Sequence, residues 1–93
     1  MVPLEITMHY TYILKSKKSG RFYTGYTSDL RKRLEEHAKG RNISTRNRGP
    51  YELVYYEACI DEQDARAREK YLKSGMGKRY IKNRIKRFLS LTG

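Results

Sequence analysis

The amino-acid sequence predicts an α+β domain: a small, mainly antiparallel three-stranded sheet flanked by helices, in the order β-β-α-β-α-α. Three patterns carry that expectation. Two tyrosine-rich runs, "HYTYILKS" and "FYTGYT", stand either side of a short turn containing glycine. A third aromatic run, "YELVYYEA", comes later in the chain. The segments after the second and third runs place their apolar residues at the helical period.

The first run alternates tyrosine with β-branched or aliphatic residues, which suits a strand, and "KKSGR" supplies a polar turn into the second. Together they read as a hairpin. Ser28 or Asp29 can cap the helix that follows, whose apolar positions Leu30, Leu34 and Ala38 repeat every fourth residue, and Gly40 closes it. "RNISTRNRGP", residues 41 to 50, is a polar and cationic loop before the third strand. Asp61 then precedes "EQDARAREKYLKS", a helix ending at Gly75. "KRYIKNRIKRFLSL" is expected as one last helix, with Ile81, Ile85, Phe88 and Leu89 on a single stripe. No internal repeat, linker or second domain interrupts this order.

A chain of 93 residues is one domain near the lower end of what folds alone. Its 21 Lys+Arg against 10 Asp+Glu leave a net charge of +11. An excess of that size favours a polyanionic partner, nucleic acid first and acidic membrane second. No apolar run approaches the roughly 20 residues of a membrane span, and "MVPLEITM" lacks the layout of a secretory signal. The single Cys59 permits no internal disulfide and offers no zinc cluster. The expectation is a soluble, cytoplasmic chain whose partner is nucleic acid and not membrane.

Five polar side chains fall into a pattern. Tyr12 and Tyr23 occupy the two hairpin strands, and Arg33 and His37 share a face of the following helix at i and i+4. Glu69 lies between Ala65 and Leu72 on the inward stripe of its helix, where a carboxylate must find a cation or a donor. Each residue alone has an ordinary explanation. Nine tyrosines make any one of them a packing residue first, Arg33 a solvated charge, His37 a packing or capping histidine, and Glu69 a partner for Lys73 or Arg66.

Their order and spacing resemble the GIY-YIG nuclease superfamily. The resemblance is closest to its small bacterial stand-alone members, which are similar to the catalytic domains of excision-repair and structure-specific endonucleases. Tyr10-Thr11-Tyr12 stands at the first motif and Tyr23-Thr24-Gly25 at the second. Thr27, Asp29, Leu30, Arg33 and His37 match the run that follows, and "RGPYELVYYE" and "AREKYLKSGMGK" fit the small members. Tyr10 and Thr11 replace the glycine and isoleucine of the first motif, and Thr24 the isoleucine of the second, while both motif tyrosines are kept. Met8 sits where such chains commonly begin, so residues 1–7 are expected as an extension and 8–93 as one nuclease-like domain.

The resemblance implies a DNA endonuclease that hydrolyses phosphodiester bonds with one divalent metal, Mg2+ or Mn2+, in DNA repair or the processing of branched DNA. It implies Glu69 as metal ligand, Arg33 as phosphate brace, and Tyr12 or Tyr23 as the base that activates water. Tyr12 is favoured slightly because the first strand reads as the more interior. Arg33, Lys15 and the metal are expected to ease ionisation of that tyrosine, and His37 to assist the water or orient a tyrosine. Gly25 is expected to let backbone, metal or substrate approach closely at the end of the second strand. Lys15, Gly25, Arg41, Arg46, Arg48, Lys73 and Lys78 are the expected nucleic-acid contacts. The alternative is a nucleic-acid-binding module of the same fold with little or partner-dependent catalysis. A protein partner or a second copy of the chain is left open.

Overall fold

In a computed structural model, which describes residues 6–42 and 45–92, the hairpin closes at Gly20. The first five positions of the expected extension lie outside the described residues. Gly20 takes a φ of 76°, the left-handed region that glycine enters without strain. Its N–H donates to the Ser16 carbonyl at 2.8 Å, and the Ser16 hydroxyl accepts from the N–H groups of Lys18 and Ser19. The turn joins β1 (His9–Ser16) to β2 (Phe22–Thr27), paired antiparallel with Tyr12 opposite Gly25 and Leu14 opposite Tyr23.

The third strand, β3 (Tyr51–Cys59), pairs antiparallel with the other edge of β1, giving the order β2-β1-β3. The first strand is therefore the central one, as its sequence suggests. Helix α1 (Leu30–Ala38) is capped by Asp29, whose carboxylate accepts from the Lys32 N–H at 3.1 Å. Gly40, at φ 69°, ends it. Asp61 caps α2 (Glu62–Lys73) in the same way through the Asp64 N–H.

The end of the chain differs from the single helix expected. It forms α3 (Gly75–Arg84) and α4 (Lys86–Thr92), so the order is β-β-α-β-α-α-α. Ser74 caps α3 by accepting from the Gly77 N–H, which starts that helix three residues before Lys78. The break falls at Ile85, where neither glycine nor proline marks it. Ile81 is fully buried and Ile85 packs on the core, whereas Phe88 beyond the break is 38% exposed.

Helices α2 and α3 cover one face of the sheet. Ile13, Leu72 and Ile81 form the buried centre, with Phe22, Val54, Tyr55 and Ile85 packed around them. Removing each such aliphatic side chain from water stabilises the fold by roughly 1.5–3 kcal/mol. The Thr11 hydroxyl donates to the Ala65 carbonyl at 2.8 Å and ties β1 to α2. The opposite face, carrying Tyr12 and Leu14, turns toward α1 and the loop before β3. Among the described residues, no helix is long and apolar enough to cross a membrane.

Gly77 lets the start of α3 lie against the last turn of α2. A Cβ there would overlap the Tyr71 carbonyl oxygen and the Leu72 Cα, both backbone atoms that cannot step aside. Gly77→Ala is expected to destabilise the domain by about 1–3 kcal/mol, lowering the melting temperature by on the order of 4–8 °C per kcal/mol. Gly75→Ala, whose added methyl meets nothing within 4 Å, is the control and should melt close to the parent. Equal melting temperatures for the two variants in a calorimetric scan would show that the corner yields.

Candidate active site

Successive side chains of a strand point to opposite faces, so Tyr12 shares its face with Gly25 and Tyr23 of the neighbouring strand. Gly25 stands directly opposite Tyr12, and a Cβ at that position would overlap the Tyr12 hydroxyl and ring. The room at Gly25, which the sequence reading reserves for backbone, metal or substrate, is thus taken by the Tyr12 ring. The glycine acts by letting that tyrosine lie down across β2.

Helix α1 brings His37 over the two rings. The Tyr12 hydroxyl and His37 Nε2 are 2.8 Å apart, and His37 Nδ1 and the Thr45 hydroxyl are 2.6 Å apart. Tyr23 lies edge-on to the same imidazole, with centroids 5.3 Å apart. Tyr12, His37 and Thr45 are all buried, Tyr12 completely. Both imidazole nitrogens are engaged, one by each hydroxyl. Thr45 is the residue the sequence reading misses, because it sits in a loop that looks merely cationic. The one available hint is indirect: a buried imidazole needs a partner on each nitrogen. The turn that holds Thr45 is stapled by its N–H to the Asn42 carbonyl and by the Arg48 N–H to its own carbonyl.

Burial decides the ionisation of this cluster. It raises the Tyr12 pKa well above that of an ordinary phenol, Tyr23 raises it further, and Arg33 only partly offsets them; Glu69 and Glu36 add to the rise. Arg33 eases ionisation of Tyr12 as expected, but burial and the neighbouring Tyr23 outweigh it. Lys15 adds nothing to that easing, since its side chain leaves β1 on the opposite face. His37 is pushed below the usual histidine pKa, chiefly by burial and then by Arg33, against a smaller opposing pull from Glu36. At neutral pH it is an uncharged hydrogen-bonding group.

Arg33, one turn before His37, pairs through Nε with Glu36 Oε1 at 3.2 Å and is about 38% exposed. Its charge acts on both Tyr12 and His37. Glu69 projects from α2 with its carboxylate 3.1 Å from Lys73 Nζ, the acid 22% exposed and the lysine 56%. That carboxylate acts electrostatically on Tyr12. The fold therefore brings Tyr12, Tyr23, Arg33, His37 and Glu69 into one neighbourhood from four separate elements.

The expected nucleic-acid contacts scatter more widely. Arg48 and Lys78 line one cleft with Tyr23, and Arg46 lines another with His37 and Thr45. Lys73 is held by Glu69. Arg41 is exposed beyond the end of α1, its N–H bonded to the Glu36 carbonyl. Lys15 is not gathered with them.

Among the described residues, no three His, Cys, Asp or Glu side chains cluster as a metal cage. The donor set at this site is one partly exposed carboxylate beside phenols. Such a set suits a hard ion that keeps most of its water, as Mg2+ does with one or two carboxylates.

Comparison with known proteins places this geometry. The family model described as the GIY-YIG catalytic domain matches residues 8–82. UPF0213 protein CPE1444 of Clostridium perfringens is 45% identical over 67 residues, 71% of this chain and 71% of that protein. UPF0213 protein YazA of Bacillus subtilis is 35% identical over 71 residues, 75% of this chain and 71% of its own. The solution NMR structure of UPF0213 protein BH0048 from Bacillus halodurans superimposes with a TM-score of 0.50 at 39% identity, covering 80% of this chain and 81% of that one.

The depressed His37 pKa sets a pH dependence. Just below about pH 6.5 the unfolded chain takes up a proton that the folded imidazole refuses, so the unfolded state binds more protons. The stability from neutral His37 is complete above that pH and is lost as the pH falls toward the depressed pKa. Urea unfolding at about pH 7 and about pH 5.5 should show this loss in the parent and a smaller one in His37→Gln. Equal losses in both proteins would remove His37 as the cause.

Proposed function

The chain belongs to the GIY-YIG nuclease superfamily, and from that premise we propose that it is a divalent-metal-dependent DNA endonuclease hydrolysing phosphodiester bonds, at work in DNA repair or on branched DNA. The observation that carries the proposal is the convergence of two tyrosines of unequal exposure with Arg33 and Glu69 around one hydrogen-bonded His37.

The two tyrosines divide the work. Tyr23 is half-buried and borders an open cleft, so its phenolate, formed by loss of the phenol proton to solvent, is the base that takes a proton from the attacking water. Tyr12 stays a neutral phenol. Its buried hydroxyl stays bonded to His37 Nε2, and His37 Nδ1 to the Thr45 hydroxyl, so the pair holds the Tyr23 side of the site in place and does not itself meet the phosphate. Arg33 spends Nε on Glu36, which leaves its terminal nitrogens for the scissile phosphate. Glu69 would hold the divalent ion, Mg2+ or Mn2+, which when bound offsets charge on the phosphate and on the leaving oxygen.

One observation favours a second reading. The Glu69 carboxylate is already paired with Lys73, which suits a nucleic-acid-binding module whose catalysis waits on a partner to part them.

A panel of single-stranded, duplex, flap and branched DNAs, incubated with and without Mg2+, tests the activity. Glu69→Gln should abolish cleavage while keeping DNA affinity, and cutting at the parent rate would end the metal assignment. Tyr23→Phe should slow single-turnover cleavage by about 10²–10⁴-fold. Tyr12→Phe, which removes only the buried hydrogen bond to His37, should cost less; the reverse order would make Tyr12 the base.

A further inference from the structure

Beside Tyr23 the hairpin turn, the loop before β3 and the face of α3 enclose a cleft of about 550 Å³. Four cations line it, Arg21, Arg48, Lys78 and Lys82, together with the aromatic rings of Phe22 and Tyr51. No carboxylate is among its lining residues, and among the described residues no ion pair holds any of the four cations. All four are exposed. Lys78 and Lys82 are one helical turn apart and present one face.

The cleft is a built feature. The Ser16 hydroxyl donates to the Arg48 carbonyl at 2.8 Å, and the Lys17 N–H donates to the Pro50 carbonyl at 2.8 Å. These bonds lock the loop to the hairpin and set Arg48 and Tyr51 opposite α3.

Unpaired cations on three sides demand an anion, and a phosphate chain is one that four of them can follow. The aromatic rings ask for something more. A volume in the range of small-ligand sites admits a nucleotide with its base, and bases stack on aromatic side chains without regard to sequence. A duplex cannot use the rings, because its bases are already stacked inside the helix. Resting on the nuclease reading above, we infer that this cleft binds a single-stranded DNA segment adjoining the scissile phosphate, with its phosphates on Arg21, Arg48, Lys78 and Lys82 and a base against Tyr51. The substrate is then a junction where a single strand leaves a duplex or has no partner.

The test is fluorescence anisotropy of the full chain with EDTA present, so that binding is read without cleavage. Three labelled probes of equal length are used: an oligothymidylate, the same strand made of abasic deoxyribose phosphates, and a blunt duplex. The oligothymidylate should bind at least about fivefold more tightly than the abasic strand, and more tightly than the duplex. Tyr51→Leu should erase the advantage over the abasic strand. The double variant Arg21→Gln/Lys82→Gln should weaken both single strands alike and reduce the salt slope by about 0.7 per lost phosphate contact. Equal affinity for thymidylate and abasic strands, or a preference for duplex, overturns the inference without recourse to any variant. Cleavage of the DNA panel is scored separately. A protein that cuts DNA but ignores bases refutes the cleft alone, whereas one that cuts none of the panel refutes the nuclease reading.

Discussion

The bond between the Tyr12 hydroxyl and His37 is the constraint on which the rest of the site depends. It lies in the interior, where an unmet polar group costs about 1–3 kcal/mol, so each participant must be delivered to its place. β1 must be central to bury the phenol, and β2 must carry Gly25 where the ring comes to rest. Helix α1 must begin at Asp29 for His37 to fall two turns later over the sheet. The loop before β3 must fold back far enough for Thr45 to meet the second imidazole nitrogen. One hydrogen bond therefore sets the register of the hairpin, the phase of a helix and the path of a loop.

That requirement also separates two residues which the motif treats as a pair. Tyr12 and Tyr23 leave adjacent strands on the same face, with ring centroids 6.4 Å apart, yet only Tyr12 is sealed. A phenol closed off from water and already hydrogen-bonded is suited to hold its proton and point it. The asymmetry comes from strand order alone, central against edge.

Most of the fold was legible because its signals are local. Gly20, Asp29, Gly40 and Asp61 act within a few residues, and each stands where turn and capping chemistry puts it. The antiparallel sheet followed from the alternation of its strands. The split at Ile85 was hidden because a continuous apolar stripe does not say where the surface beneath it ends. At the site, the resemblance to the GIY-YIG motifs carried the grouping of Tyr12, Tyr23, Arg33, His37 and Glu69. That burial outweighs Arg33 at Tyr12 was not legible, since sequence names the neighbouring charges but not the solvent they displace. Thr45 escaped for the opposite reason: its role is set by a loop path, and loops carry no periodicity.

Ser74 has a place in this arrangement out of proportion to its size. Its hydroxyl donates to the Tyr71 carbonyl at the end of α2 and accepts from the Gly77 N–H at the start of α3. Glu69 lies on one arm of that corner, and Lys78 and Lys82 lie on the other. The corner thus behaves as a carpenter's square between Glu69 and the basic face of α3. Because both arms are helical and the angle is pinned by a serine and a glycine, the reach from Glu69 to Lys78 and Lys82 is written into the backbone. A lengthened side chain would hardly alter it; a residue added or removed at the corner would change the gauge.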